Sequence, residues 1–198
     1  PLGRQRMEFE SRALEIEGRI CPGLVPELYV YDAAMSLVIM EHLAAHQIMR
    51  KGLIAGVEYP KFAGHMSEFL SKTLFETSDL GMDSAEKNGL VEYFGRNTEL
   101  CKLTEDFVFT NPFMESDENR WNPEIDGQVQ AIRANSALKL EIAELKDGFI
   151  ARAQALIHGD LHTGSVLLNH EETRVIDPEF AFYGPMGFDV GAVLGNLA

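Results

Sequence analysis

Residues 158–179, HGDLHTGSVLLNHEETRVIDPE, hold the side chains best suited to chemistry. A polar loop, His158-Gly159-Asp160, is followed by two short apolar runs around the turn His170-Glu171-Glu172. The second run delivers Asp177, with Glu179 two residues on. Successive side chains of a strand alternate between faces, so Asp177 and Glu179 are expected on one face. Two carboxylates beside a third on the neighbouring loop make an oxygen-rich site. Magnesium takes such sites, using one or two carboxylates together with substrate phosphates. Asp160 then suits a different task, orienting a hydroxyl and accepting its proton during phosphoryl transfer. A second chemistry stays open on the same segment: His158, Asp160 and His162 alternate along the chain and could hold a transition metal that activates water. Each residue alone is ordinary loop material, and Asp-Pro is a frequent turn starter. The loop–strand–turn–strand–DxE unit is what points to a site.

The elements that must position these residues can be read from periodicity. Residues 4–19 form an amphipathic helix with Phe9, Ala13, Leu14 and Ile16 near helical spacing, stopped by Cys21-Pro22-Gly23. Residues 27–41 read as a hairpin around Asp32-Ala33-Ala34, with Val38, Ile39 and Met40 suited to a buried strand. Phe62, Met66, Leu70 and Leu74 mark a helix over 61–79, and 85–94 read as a short one. Residues 109–126 are polar with two prolines and read as a long loop. Residues 127–157 read as one long helix with Ile132, Leu138, Ile142, Leu145 and Phe149 on its apolar side. Short strands follow at 165–169 and 173–177, and another helix at 188–197. Strands in front and helices behind is an α+β layout.

Bulk properties narrow the partners. The chain has 198 residues, 45% hydrophobic and 24% charged, enough for one domain, or one and part of another. A net charge of −14 argues against nucleic acid, which needs clustered cations. No run reaches the roughly 18 apolar residues of a membrane helix, and the first twenty positions carry arginines and acids rather than a signal peptide. Cys21 and Cys101 are too far apart in the chain for a short metal-ligand spacing, and a reducing, cytoplasmic setting fits them.

The same residues resemble a known family. His158-Gly159-Asp160 is similar to the catalytic loop of aminoglycoside-phosphotransferase-like kinases, within the protein-kinase-like superfamily. HGDLHTGSVL, VIDPEFAFYGPMGFDVGAVLGNL, YDAAMSLVIMEHL, RKGLIAGVEYP, LTEDFVF and SALKLEIAELK narrow the resemblance to the 5-methylthioribose kinases, over nearly the whole chain. It implies a protein-kinase-like α+β fold: residues 1–43 as a remnant of the N-terminal lobe, with helix αC, two strands and the hinge, and residues 44–198 as a truncated helical C-terminal lobe. It implies Asp160 as catalytic base and Asp177 with Glu179 as the magnesium pair. Nucleotide binding falls to Glu10, in the place of the αC glutamate, and to the hinge Met40, Glu41, His42 and Leu43. His158 and Asp189 would brace the catalytic loop, Ser165 stands where many kinases place a metal-binding Asn, and Asn119, Arg120 and Trp121 resemble a substrate-side loop. The implied cofactors are ATP and Mg²⁺, the implied substrate a sugar, 5-methylthioribose, phosphorylated on its anomeric hydroxyl in methionine salvage, and the implied assembly a homodimer. The glycine loop, the strand-3 lysine and the family's downstream arginines have no counterpart among these residues. The isolated chain is therefore expected to bind ATP weakly and to turn over poorly. Another small-molecule kinase of the superfamily, acting on an aminoglycoside, choline or homoserine, or a non-catalytic kinase-like module, is the alternative.

Overall fold

The computed structural model describes residues 3–198. Pro1 and Leu2, which open the expected N-terminal segment, lie outside the described residues.

Helix α1 (Arg6–Ile20) buries Phe9, Glu10, Ala13, Leu14, Ile16 and Glu17, so it is enclosed on more than the single stripe an ordinary surface helix offers. It ends where the Cys21 N–H bonds the Glu17 carbonyl at 2.7 Å, and Gly23 turns the chain with φ 82°. Strands β1 (Leu28–Asp32) and β2 (Leu37–Met40) pair antiparallel, Asp32 opposite Leu37. Neither strand has a buried residue, which corrects the expectation for Val38–Met40: this is a two-stranded sheet, and one face has nothing packed over it among the described residues.

Strand β3 (Gln47–Ile48) leads straight into α2 (Met49–Ile54), and then come α3 (Phe62–Glu76), α4 (Ser84–Phe94) and α5 (Thr98–Phe107). Asp83 caps α4 by accepting from the Ala85 N–H. Residues 109–126 are the expected loop, tightened by 3-10 turns at Asn111–Phe113 and Pro123–Ile125. The expected helix over 127–157 is in fact three elements. Helices α6 (Asp126–Ala134) and α7 (Ser136–Ala151) are broken at Asn135, whose side chain caps the Leu138 N–H, and Ala155–Ile157 is a fully buried strand, β4. Strands β5 (Val166–Leu168) and β6 (Thr173–Val175), then β7 (Phe182–Gly184) and α8 (Met186–Leu197), complete the chain.

The short strands form two small antiparallel sheets, β3-β5-β6 and β4-β7. Two adjoining apolar clusters hold them. Phe9, Ile16, Phe94, Phe149, Leu156 and Phe182 surround β4-β7. Leu14, Met49, Phe69, Leu161, Val166 and Val175 surround β3-β5-β6. Helix α1 contributes to both, and the segment joining the two sheets carries His158, Gly159 and Asp160.

Candidate active site

The loop after β4 is held by backbone bonds to one buried acid. Asp189, at the start of α8, accepts from the His158 N–H at 2.7 Å and the Gly159 N–H at 3.1 Å. Gly159 has φ 81°, and a Cβ there would stand 2.4 Å from the Phe180 carbonyl oxygen, so glycine is required on two counts. The His158 ring is buried and links the loop to the residue just past β6: its Nε2 faces the Ile176 carbonyl at 2.9 Å, and its Nδ1 accepts from the Asp160 N–H at 3.3 Å. These partners define a neutral ring with its proton on Nε2. Burial agrees, pushing its pKa down to about 4. Ser165 spends its hydroxyl on the Asp160 carbonyl, at 2.9 Å, and so closes the loop.

Strand β6 ends at Val175, before the DxE pair. Asp177 is left-handed, φ 66° and ψ 47°, and Glu179 lies in the 3-10 turn Pro178–Phe180. The expected reason for their pairing, strand alternation, is therefore wrong: a left-handed residue and a tight turn bring them together. Asn97, before α5, fixes that turn from below. Its buried amide donates to the carbonyls of Glu179 at 2.9 Å and Ala181 at 3.1 Å. Arg6 of α1 pairs with the Glu179 carboxylate at 2.9 Å.

The electrostatics show which acids are gathered. Burial raises the Glu10 carboxyl to about 7, and the charges of Asp177 and Glu179 add to it while Arg6 opposes. Burial likewise raises Glu179, with Asp177 adding to it. Burial also raises Asp160, with Asp177 adding to it and Arg50 opposing. Glu10, Asp160, Asp177 and Glu179 thus share one field, relieved by Arg6 and Arg50. Glu10 is not a solvated helix residue but 7% exposed. Beside this cluster lies a cavity of about 690 Å³ lined by Asp160 and His162 on one side and by Phe109, Leu145, Arg152 and Phe188 on the other.

Other expected residues stand apart from it. Met40 pairs with Leu28, the Glu41 N–H is spent on the Glu27 carbonyl at 2.8 Å, and Glu41 lines a separate cleft of about 700 Å³ with Leu14, Val25 and Tyr31. His42 and Leu43 form a turn in which their carbonyls accept from Ala44 and His46. Trp121 lies against the Arg133 guanidinium, 4.6 Å from its ring centroid, and neither it nor Arg120 lines the Asp160 cavity. The transition-metal alternative is not assembled. Both His158 nitrogens face backbone groups, and among the described residues no three His, Cys, Asp or Glu side chains converge as a metal set. Asn97, Arg6 and Arg50 carry no sequence signal: each acts across a chain separation of more than 80 residues.

Comparison with known proteins matches residues 21–197 to APH, the phosphotransferase enzyme family. The chain belongs to the phosphotransferase enzyme family. Its curated relatives include Methylthioribose kinase 1 of Oryza sativa subsp. japonica, 53% identical over 200 residues, covering 100% of this chain and 46% of that protein. Methylthioribose kinase of Geobacillus sp. (strain WCH70) is 48% identical over 197 residues, covering 100% of this chain and 49% of that protein. This phosphotransferase-family chain therefore spans about half the length of the curated relatives it matches. Among solved structures, the GDP and kanamycin complex of APH(2")-IIia superposes with TM-score 0.52 at 18% identity, covering 98% of this chain and 62% of that one. The GDP complex of wild-type aminoglycoside 2'-phosphotransferase-IIIa gives 0.50 at 20% identity, covering 98% and 63%. At such identities these structures show the fold, which is the α+β phosphotransferase fold expected from the sequence.

Proposed function

We propose that this chain carries the catalytic centre of an ATP-dependent 5-methylthioribose kinase, which phosphorylates the anomeric hydroxyl of the sugar in methionine salvage. The observation that carries the reading is identity near one half, sustained over the whole chain, with relatives named methylthioribose kinase. The geometry supports the class of reaction. Asp160 lines a largely apolar cavity large enough for a small sugar derivative, with its side chain able to orient a hydroxyl and take its proton. The hydroxyl oxygen then attacks the γ-phosphorus and ADP leaves.

Asp177 and Glu179 are the residues that would hold Mg²⁺. The donor set fits: both are hard oxygen ligands, and burial, with repulsion between the neighbouring acids added to it, raises Glu179 and Glu10, a cost that a bound cation would relieve. When bound, the ion neutralises charge on the transferring phosphoryl group. His158, Ser165 and Asp189 hold the Asp160 loop. Glu10 and the Met40–Leu43 segment are assigned to the nucleotide side, where the spent Glu41 N–H leaves His42 and Leu43 to meet a base. Arg120 and Trp121 are assigned to the substrate side. A cytoplasmic homodimer completes the proposal, and light scattering on the full-length gene product tests the dimer.

The decisive experiment is coupled ADP release by the full-length gene product with 5-methylthioribose, kanamycin, choline and homoserine in parallel. Release that depends on the sugar alone is expected. Release with another acceptor would reassign the substrate, and none with any acceptor would remove the kinase reading.

A further inference from the structure

His162 lies two positions past Asp160. Three groups gather at one nitrogen of its ring. The Gly164 N–H donates to Nδ1 at 2.7 Å, the Arg50 guanidinium lies 3.4 Å from the same nitrogen, and the Ser165 hydroxyl lies 3.5 Å from it. A nitrogen that accepts from donors carries no proton, so the ring's proton sits on Nε2. Nε2 faces Oδ2 of Asp160 at 3.5 Å.

The surroundings are built for this arrangement. The His162 N–H donates to the Asp160 carbonyl at 3.1 Å, and its own carbonyl accepts from Ser165 at 2.9 Å, so the backbone curls the ring back toward the acid. Gly164 leaves room for the ring: a Cβ there would stand 2.4 Å from Cε1 and 2.8 Å from Nδ1 of His162. Arg50 is brought in from α2 by its own N–H on the Thr163 carbonyl at 3.0 Å and its Nε on the Thr163 hydroxyl at 3.3 Å. A second proton on the ring would have to displace the Gly164 donor.

We propose that His162 is a positioning residue for Asp160, a neutral imidazole whose Nε2–H is turned toward Oδ2 and steers Oδ1 to the acceptor hydroxyl. The inference rests on the phosphotransferase reading of Asp160. In the transfer, the hydroxyl proton passes to Asp160, the new P–O bond forms as the bond to ADP breaks, and His162 neither gains nor loses a proton. Its contribution is the aim of one carboxylate, and loss of aim at a reacting centre is costly.

Two measurements test it. Long-range ¹H–¹⁵N spectra of the histidine-labelled 198-residue chain at neutral pH should show His162 as the Nε2–H tautomer, with its shifts moved by Asp160→Asn. The Nδ1–H tautomer, an imidazolium, or shifts indifferent to Asp160→Asn would overturn the proposal without reference to activity. In the full-length gene product, His162→Ala should lower kcat by about tenfold to a hundredfold with the ATP KM changed by less than about twofold. His162→Gln, which restores a donor at similar reach, should recover most of the loss. An unchanged kcat for His162→Ala, or a Gln variant no better than Ala, would also overturn it. A wild-type protein inactive on every acceptor would defeat the proposed function instead, and the spectra would still decide the tautomer.

Discussion

Asp160 sits at the end of a relay of fixed groups: Asp189 holds the backbone before it, His158 accepts from its N–H, and Ser165 holds its carbonyl. Its carboxylate lines the cavity and, among the described residues, faces only His162 at 3.5 Å, so a change confined to the carboxylate should cost activity rather than fold. In the full-length gene product, Asp160→Asn should lower kcat by about 10²–10⁴-fold with the ATP KM little changed, as loss of a general base does. Steady-state kinetics checks this, and near-normal turnover would sink the assignment of the base. A second prediction concerns acids that do no chemistry. Burial raises Glu17 to about 8 and Asp189 to about 6, and one Glu17 oxygen has no hydrogen-bond partner among the described residues. Raised carboxyls mean that the folded state holds protons that the unfolded state has released. Stability carried by these two acids should therefore be lost as pH rises through about 6 and then about 8, while His158, pushed down to about 4, acts in the opposite sense between about pH 4 and about pH 6.5, so the net decline should be clearest from about pH 6.5 to about pH 8. Glu10, also raised, adds to the fall. Urea midpoints between about pH 5 and about pH 8 measure it, and Glu17→Gln should flatten the upper part of the decline. A wild-type midpoint independent of pH would contradict the prediction.

The turn Pro178–Phe180 is the element on which the site depends, and it is held from outside by α1 and by the residue that opens α5. Asn97→Ala would leave the Glu179 and Ala181 carbonyls without their donor in a buried setting. It should cost about 1–3 kcal/mol by chemical denaturation. Removing Arg6 should cost less than about 1 kcal/mol, because that pair is part exposed. This element also shows what could be read from the sequence. The His158–Asp160 loop, the β5–β6 turn and the presence of Asp177 and Glu179 beyond it are local, and their order along the chain is enough to find them. The gathering of Glu10 into the same field, the Arg6–Glu179 pair and the Asn97 bonds join residues 82 to 173 positions apart, where no spacing rule reaches. The helix expected over 127–157 failed for a different reason. A short run such as Ala155-Leu156-Ile157 is apolar on every side, so periodicity cannot separate a buried strand from one more helical turn. Asn135 alone carried a signal for the break, as a capping residue inside an otherwise helical pattern.

At the scale of the whole molecule, the apolar surface is unevenly covered. Strands β4 and β7 are buried throughout, while β1 and β2 expose Tyr29, Val30, Leu37 and Ile39. A two-stranded sheet is marginal in water unless something packs over it. Backbone amides of β1–β2 should therefore exchange with deuterium orders of magnitude faster than those of β4–β7. Equal protection of the two sheets would show that the hairpin is as cooperative as the core. The chain spans about half the length of its curated relatives, so the same measurement on the full-length gene product reports whether additional sequence protects the hairpin.

Asp177 holds a left-handed backbone that aspartate accepts more readily than most side chains but less readily than glycine, beside acids that repel it. Both features work against the folded state. Asp177→Gly removes both at once and should raise stability by up to ~1 kcal/mol while abolishing phosphate transfer. Asp177→Asn keeps the shape and removes only the charge. If the two variants behave so, this residue marks a place where selection for chemistry has held the protein below the stability its own backbone could reach.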